Sequence, residues 1–167
     1  DELANLPFFI HHPDYADADG MRRDMLAQTP DIPVTILEWF GIQKGKHMLG
    51  RDISQVIKDS RPIHDAILYG YHGMHINMTD GTYTYMRSAA NEDNSPLFQY
   101  TLMPWHIAKP MCGQELKQAD PTLYTGFEFN DHTPVLKIPV DERFDKKRYY
   151  RYSGHVKYGT CLFNRKN

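Results

Sequence analysis

A chain of 167 residues with 41% hydrophobic and 13% aromatic residues has the size and composition of a folded protein, not of a disordered one. Its 19 basic and 21 acidic residues nearly balance, which gives no overall basic footprint for nucleic acid and predicts no nucleic-acid partner. The most basic stretch, at residues 146–152, alternates cations with tyrosines, which is typical either of a solvated strand or loop or of a surface for nucleic acid or anionic sugars. No apolar run is long enough to cross a membrane. The widely spaced Cys112 and Cys161 predict neither a zinc site nor a disulfide framework, and a single bridge between them stays open.

The first elements in chain order are a strand and two helices. The run Leu6–Ile10 is short and continuously apolar, which is typical of a strand buried on both faces of a mostly parallel sheet. A helix is predicted from Thr29–Pro33 to Gly41, with a Thr or Asp side chain capping its first turn. The apolar stripe of this helix is predicted to be Ile32, Ile36, Leu37 and Phe40. A shorter helix is expected around Ile53 to Lys58.

The remaining chain has the alternation of strands. Successive strands are predicted at Ala66–Tyr71, Met74–Met78 and Thr82–Met86, and Asp80-Gly81 indicates a type I′ hairpin turn between the last two. Residues 88–134 are predicted to be irregular, with one helical turn near Glu115 to Ala119, before closing strands at Val135–Val140 and Thr160–Phe163. So long an irregular stretch is unusual in an independent domain, so we expect it to pack against another part of the protein.

The residues themselves form no recognisable catalytic site. Nine histidines are present, and His72 and His75 lie three apart, but no HExxH pattern accompanies them. The chain also lacks a nucleophile elbow, a glycine-rich phosphate loop and a Cys/His catalytic pattern. We therefore assign no catalytic residue and no metal ligand within this chain.

Several segments, taken in order, carry a resemblance to a known family. A helix pattern of the family is similar to Asp31-Ile32-Pro33-Val34-Thr35-Ile36-Leu37 followed by Gly41-Ile42, in which Val34 departs from the pattern. The other segments are Asp1–Ile10, Met48–Ile53, Tyr69–Gly73, Asn77–Arg87, Tyr100–His106 and Thr160–Asn164. Together they resemble the C-terminal portion of the sulfatases of the alkaline phosphatase superfamily.

The resemblance implies a catalytic centre outside this chain. Members of the family hydrolyse sulfate esters with a formylglycine made from the Cys or Ser of a C/S-x-P-x-R motif, and acidic residues of their N-terminal domain hold a divalent cation, usually calcium. This chain contains no such motif, since no proline stands two residues after Cys112 or Cys161, as the motif requires. We therefore expect this chain to be the C-terminal part of a sulfatase and to be inactive alone. Its expected partner is the preceding catalytic portion of the same protein.

The same resemblance implies a fold class, two domains and a set of binding residues. The whole enzyme would be α/β and this part α+β, with a small antiparallel sheet and a few helices. Residues 1–60 would be the tail end of the large α/β domain, with a strand and helices, and residues 61–167 an antiparallel-sheet subdomain with long loops. The side chains expected to contact a sulfated sugar or aryl sulfate substrate are His72, His75, Trp105 and His106; a purely structural role for each is the alternative.

Two other functions are compatible with the sequence. One is a non-catalytic structural or binding remnant, and the other is phosphate or phosphonate ester hydrolysis within the same superfamily. A bacterial cytoplasm and a bacterial periplasm both fit the composition. Because the apolar Leu6–Ile10 would be exposed without its neighbours, we also expect either self-association or contact with the preceding part of the protein.

Overall fold

The computed structural model describes residues 5–70, 73–91, 94–106, 109–140 and 159–165. Helices and antiparallel sheets are mixed, so the fold class is α+β. The helices are α1 (Asp31–Trp39), α2 (Ser54–Asp59) and α3 (Gly113–Ala119), with short 3₁₀ helices at Pro13–Ala18 and Glu128–Asn130. The strands are β1 (Ile67–Gly70), β2 (Ile76–Thr79), β3 (Tyr83–Arg87), β4 (Phe98–Thr101), β5 (Thr122–Tyr124), β6 (Val135–Pro139) and β7 (Cys161–Asn164). None of the helices in these ranges is long and apolar enough to cross a membrane.

The chain divides into two compact units, each with its own small core. The first unit comprises Asp1–Tyr69, Asn77–Met86 and Leu162–Asn167, and the second comprises Gly70–Ile76 and Arg87–Cys161. One sheet has the strand order β1-β2-β3-β7 and the other the order β4-β6-β5. The predicted division at residue 60 stays a prediction.

The two predicted helices of the first unit are confirmed, but the face that α1 buries is not the predicted one. Gly41 follows α1 with a φ of +67°, as expected for its left-handed position. The expected side-chain cap is wrong, because the N-cap residue is Pro30 and no side chain bonds the first amides. The predicted apolar stripe is wrong for Ile36 and Phe40, which are exposed, while Ile32 and Leu37 are half-buried. The residues that α1 buries fully are Asp31, Val34 and Thr35. The buried face of α1 is therefore partly polar, and its polar groups are all used.

Asp31 is the centre of a buried polar network. Its carboxylate accepts hydrogen bonds from the backbone N–H groups of Gln28 and Arg51, each at 2.8 Å. The His64 imidazole Nε2 lies 2.8 Å from the same carboxylate, and both side chains are almost fully buried, with 1% of Asp31 and 7% of His64 exposed. An unpaired carboxylate at this depth would be strongly unfavourable, so these partners are what make Asp31 tolerable here.

The segment before α2 is held against α1 by two further features. The Thr35 hydroxyl donates to the Asp31 carbonyl at 2.7 Å and accepts from the Ile53 N–H at 3.0 Å. Gly50 passes so close to the start of α1 that a Cβ atom at this position would lie 2.5 Å from the carbonyl carbon of Pro30 and nearer still to its oxygen. Only glycine permits this approach. The core beneath α2 consists of Ile53, Val56 and Ile63, packed with Met25, Ala27 and Ile57.

The strand predicted at Leu6–Ile10 is not formed. The sheets of the described part are antiparallel and do not include this segment. A strand buried on both faces needs a neighbouring strand and a covering layer, and residues 6–10 have neither. Leu6 is 69% and Phe9 91% exposed, while Phe8 and Ile10 line a cavity of about 220 Å³ beside Ile32, Ile36 and Trp39 of α1. The predicted exposure of these apolar side chains is confirmed, and the self-association that it implies stays a prediction.

The predicted meander is confirmed as β1, β2 and β3, but its turn differs from the predicted type. Three residues connect β2 to β3, and of Asp80 and Gly81 only the glycine has a positive φ, at +89°. The Asp80 carboxylate accepts from the N–H groups of Thr82 and Tyr83 at 2.8 and 2.7 Å. This Asx-type bonding replaces the second left-handed residue that a type I′ turn requires.

The second unit is more regular than the sequence indicated. Of the two closing strands, β6 is confirmed in this unit, and β7 is confirmed in the sheet β1-β2-β3-β7, with most of its residues in the first unit. The helical turn near Glu115 is part of α3, but β4 and β5 were not predicted. Both pair with the central β6, with Tyr100 opposite Lys137 and Thr122 opposite Lys137. Ile138, fully buried on the other side of β6, packs with Met111, Ala119 and Val140 in the core under α3. Cys112 and Cys161 are not joined by a disulfide bond.

Candidate functional site

The four predicted substrate-contacting residues lie in three different settings. His72 lies outside the described residues. His75 precedes β2, is 8% exposed, and places its Nε2 2.9 Å from the carbonyl oxygen of Gly159. Since a carbonyl oxygen only accepts, the ring nitrogen donates, and the bond ties Gly159 to the start of β2. Its predicted role toward a substrate stays a prediction.

Trp105 and His106 lie together on a tight loop between β4 and α3. The Met111 N–H donates to the Pro104 carbonyl at 3.1 Å, and the His106 N–H donates to the Lys109 carbonyl at 2.7 Å. A β-bridge joins Trp105 to Pro110 between these two bonds. The paired backbone fixes the direction of both side chains, and it leaves Trp105 43% exposed at the surface.

His106 is positioned by a carboxylate that sequence reasoning did not find. Its Nε2 lies 3.3 Å from Oε1 of Glu115, and the His106 side chain is 15% exposed. The other carboxylate oxygen of Glu115 accepts from the Cys112 N–H at 2.7 Å. Cys112 and Glu115 form a reciprocal capping box at the start of α3, in which the cysteine side chain accepts from the Glu115 backbone.

The capping box also sets the charge of Glu115. The Cys112 backbone N–H bonded to this carboxylate, assisted by the Cys112 side chain and by His106, lowers the pKa of Glu115 below its ordinary value. The ionised carboxylate then orients the imidazole of His106. The sequence signal that could have found Glu115 is the spacing of Cys112 and Glu115, which is that of a capping box with cysteine in place of Ser or Thr.

We expect the capping box to make stability depend on pH. Because the pKa of Glu115 is lowered in the folded chain, its contribution is fully present above the unfolded-state value of about 4.3 and is lost as pH falls through the folded-state value. In urea titrations the wild-type chain should therefore exceed Glu115→Gln in stability near neutral pH, and the difference should shrink in acid. The control Glu128→Gln removes an exposed carboxylate at the start of the second 3₁₀ helix. A Glu115→Gln difference that stays constant from neutral to acid pH would contradict this expectation.

The loop offers recognition groups, not a nucleophile. Trp105 presents an apolar ring face, and His106 lies next to it in the chain with one ring nitrogen directed at Glu115. Such a pair can stack on the face of a sugar or aryl ring and donate or accept a hydrogen bond at its edge. Bond cleavage needs a nucleophile and charge stabilisation that these two residues do not supply.

The calcium and formylglycine that the resemblance implies for a preceding portion stay a prediction. No group of three or more His, Cys, Asp and Glu side chains in the described part is arranged to hold a metal ion. The acidic residues described above are used in hydrogen bonds to backbone amides and histidines, as with Asp31 and Glu115. The described residues therefore do not fit a calcium site, and no step through a metal is derived for this chain.

No family model matches the chain, and neither a curated protein nor a solved structure matches it.

Proposed function

We propose that this chain is the C-terminal portion of a formylglycine-dependent sulfatase and that the whole protein hydrolyses sulfate esters. The proposal rests on the ordered set of segments that resemble the family. Two of these segments are joined by hydrogen bonds in the structure, so they form one packed unit. The segments Gln28–Ile42 and Met48–Ile53 are joined by the bonds from the Arg51 N–H to Asp31 and from the Ile53 N–H to Thr35.

The joined residues are the ones that the resemblance singles out. Asp31 and Thr35 supply the acceptors, and Gly50 supplies the close approach to Pro30. A pattern that needs an Asp, a Thr and a Gly at these three places is more demanding than apolar periodicity alone. This supports the reading of the two segments as one structural motif, which is how the proposal treats them.

Within the proposed enzyme this chain would contribute substrate recognition. Trp105 and His106, fixed by the loop bonds and by Glu115, are the groups we assign to contact with the organic part of the sulfate ester. They would hold the substrate, while the preceding portion of the protein would supply the nucleophile and the cation.

The chemical test is the detection of the modified nucleophile. We expect the coding sequence upstream of Asp1 to contain C/S-x-P-x-R, and we expect peptide mass spectrometry of the longer protein to find formylglycine at the first residue of that motif. Substitution of that residue by Ala serves as the control and should remove the signal. A Thr at that place, with turnover of phosphate but not sulfate esters, would replace the sulfatase proposal by the phosphatase alternative.

A further inference from the structure

The sheet β4-β6-β5 has an unusual face on the side away from the core under α3. Side chains alternate along a strand, so Lys137 lies on the opposite side of β6 from the buried Ile138. The directly paired Tyr100 and Thr122 share the face of Lys137. A sheet face turned away from its helix normally carries polar residues. Here it carries a cluster of rings, which we call the aromatic face: Phe98, Tyr100, Tyr124, Phe127 and Phe129.

The rings of the aromatic face form one continuous surface. The centroids of Tyr100, Tyr124 and Phe127 lie 4.9 to 5.1 Å from one another, and Phe129 lies 5.0 Å from Phe127. Tyr100 is 38% and Phe129 66% exposed. Tyr100, Tyr124 and Phe127 meet at tilted or edge-on angles, so the cluster presents ring faces and ring edges together. Exposed aromatic groups held this rigidly are typical of binding surfaces.

Among the residues that the structure describes, one cation lies in the aromatic face. The ammonium of Lys137 lies 4.0 Å from the centroid of Phe98 and 5.8 Å from that of Tyr124. Within the ranges that the structure describes, Lys137 has these two cation–π contacts and no carboxylate partner. The cation–π contacts hold the ammonium in place without neutralising its charge. The aromatic face therefore combines flat apolar surface, tyrosine hydroxyls and one fixed positive charge.

We propose that the aromatic face binds a sulfated saccharide, with Lys137 contacting the sulfate group and Tyr100 packing against the sugar ring. A pyranose has an apolar face of C–H groups and a rim of hydroxyls, which matches rings that carry phenol groups. The Lys137 ammonium matches an anionic substituent on such a sugar. Single-stranded nucleic acid also stacks on aromatic sheets, but it needs several cations along its backbone, and the net charge of this chain is −2. The choice of sulfate over carboxylate as the anion rests on the proposed function.

The test is a calorimetric titration of the 167-residue chain with a sulfated galactan tetrasaccharide and with the same tetrasaccharide after chemical desulfation. Lys137→Met keeps the length and apolar body of the side chain and removes its charge. Tyr100→Ala removes the exposed ring. The matched controls are Lys117→Met, an exposed lysine in the last turn of α3, and Leu123→Ala, which is 72% exposed and points to the other side of β5 from Tyr124. Near-UV circular dichroism of every variant verifies that the fold is retained.

We expect the wild-type chain to prefer the sulfated form, and Lys137→Met to weaken that form by about tenfold while leaving the desulfated form unchanged. Tyr100→Ala should weaken both forms, and the two controls should match the wild type. The proposal would be overturned if the two saccharides bound equally well, if neither bound, or if Lys117→Met lost as much affinity as Lys137→Met. It would also be overturned if a single-stranded RNA oligonucleotide, titrated in the same way, bound more tightly than the sulfated saccharide. Turnover plays no part in the titration. If the titration shows no binding, the sulfatase proposal is unaffected. If the sulfatase proposal fails, the titration still tests whether the aromatic face binds an anionic saccharide.

Discussion

Replacement of Asp31 by Ala is expected to lower the free energy of unfolding by about 3–5 kcal/mol, the range for removing one member of a buried ionic or polar pair. The substitution leaves the N–H groups of Gln28 and Arg51 and the ring of His64 without their acceptor. Because the carboxylate is almost fully buried, water cannot readily replace it. The effect is therefore larger than that of a surface ion pair.

The measurement is urea-induced unfolding, followed by circular dichroism, of Asp31→Ala beside the matched control Asp59→Ala. Asp59 is a half-exposed carboxylate at the end of α2, 3.5 Å from the exposed Arg61 guanidinium. Removal of that surface partner should cost less than about 1 kcal/mol. Equal losses in the two variants would mean that the network around Asp31 does not stabilise the first unit.

Gly50→Ala is expected to have the second large effect, a loss of about 3 kcal/mol or more, at the upper end of the range for overpacking. The new methyl group would overlap the backbone carbonyl of Pro30 and approach the Cα of Asp31 to 3.0 Å. Backbone atoms at the start of a helix cannot turn aside as a flexible side chain does. Relief would therefore require the Met48–Ile53 segment to move away from α1, which breaks the bonds of Arg51 and Ile53.

The control for Gly50→Ala is Gly45→Ala in the same unit. A Cβ atom at position 45 would meet only the Met48 side chain, at an ordinary 3.6 Å. This variant should unfold within about 0.5 kcal/mol of the wild type, as surface substitutions usually do. A Gly50→Ala chain as stable as the Gly45→Ala chain would contradict the close packing of the two segments.

The helices of the first unit could be placed from sequence because their boundaries depend on local chemistry. Pro33 and Gly41 limit α1 whatever packs against it. The buried face of α1 could not be placed, because periodicity counts Asp31 as polar and expects it in solvent. Its burial depends on His64, which lies 33 positions along the chain, and no local pattern reveals that contact.

The strands of the second unit were missed for a related reason. The strand β4 has only four residues and β5 only three, and prolines and turn residues surround them. Their regular structure comes from pairing with β6, a partner more than ten residues distant in each case. Likewise, the sequence predicts Trp105 and His106 as substrate contacts, but it does not predict that Glu115 orients His106. That contact depends on the position of α3 against the loop.

The polar groups of the first unit separate the structural part of the resemblance from its functional part. Asp31, Thr35 and Gly50 have sufficient physical reasons to be the residues they are, since each is required for the packing of α1 against residues 48–53. Trp105 has no such reason, because it is 43% exposed and the bridge to Pro110 is made by its backbone. An exposed aromatic side chain on a fixed loop is a better candidate for recognition than for stability.

The most direct test of the sulfatase proposal is turnover of a chromogenic aryl sulfate by the longer protein that the proposal requires, with a catalytic portion before Asp1. The assay includes its C/S-x-P-x-R nucleophile→Ala variant and the present 167-residue chain as controls. We predict sulfate release by the longer protein and none by either control. Sulfate release by the present chain alone would contradict the proposal. The proposal would also be contradicted if a longer protein that carries formylglycine released sulfate from none of the sulfate esters tested.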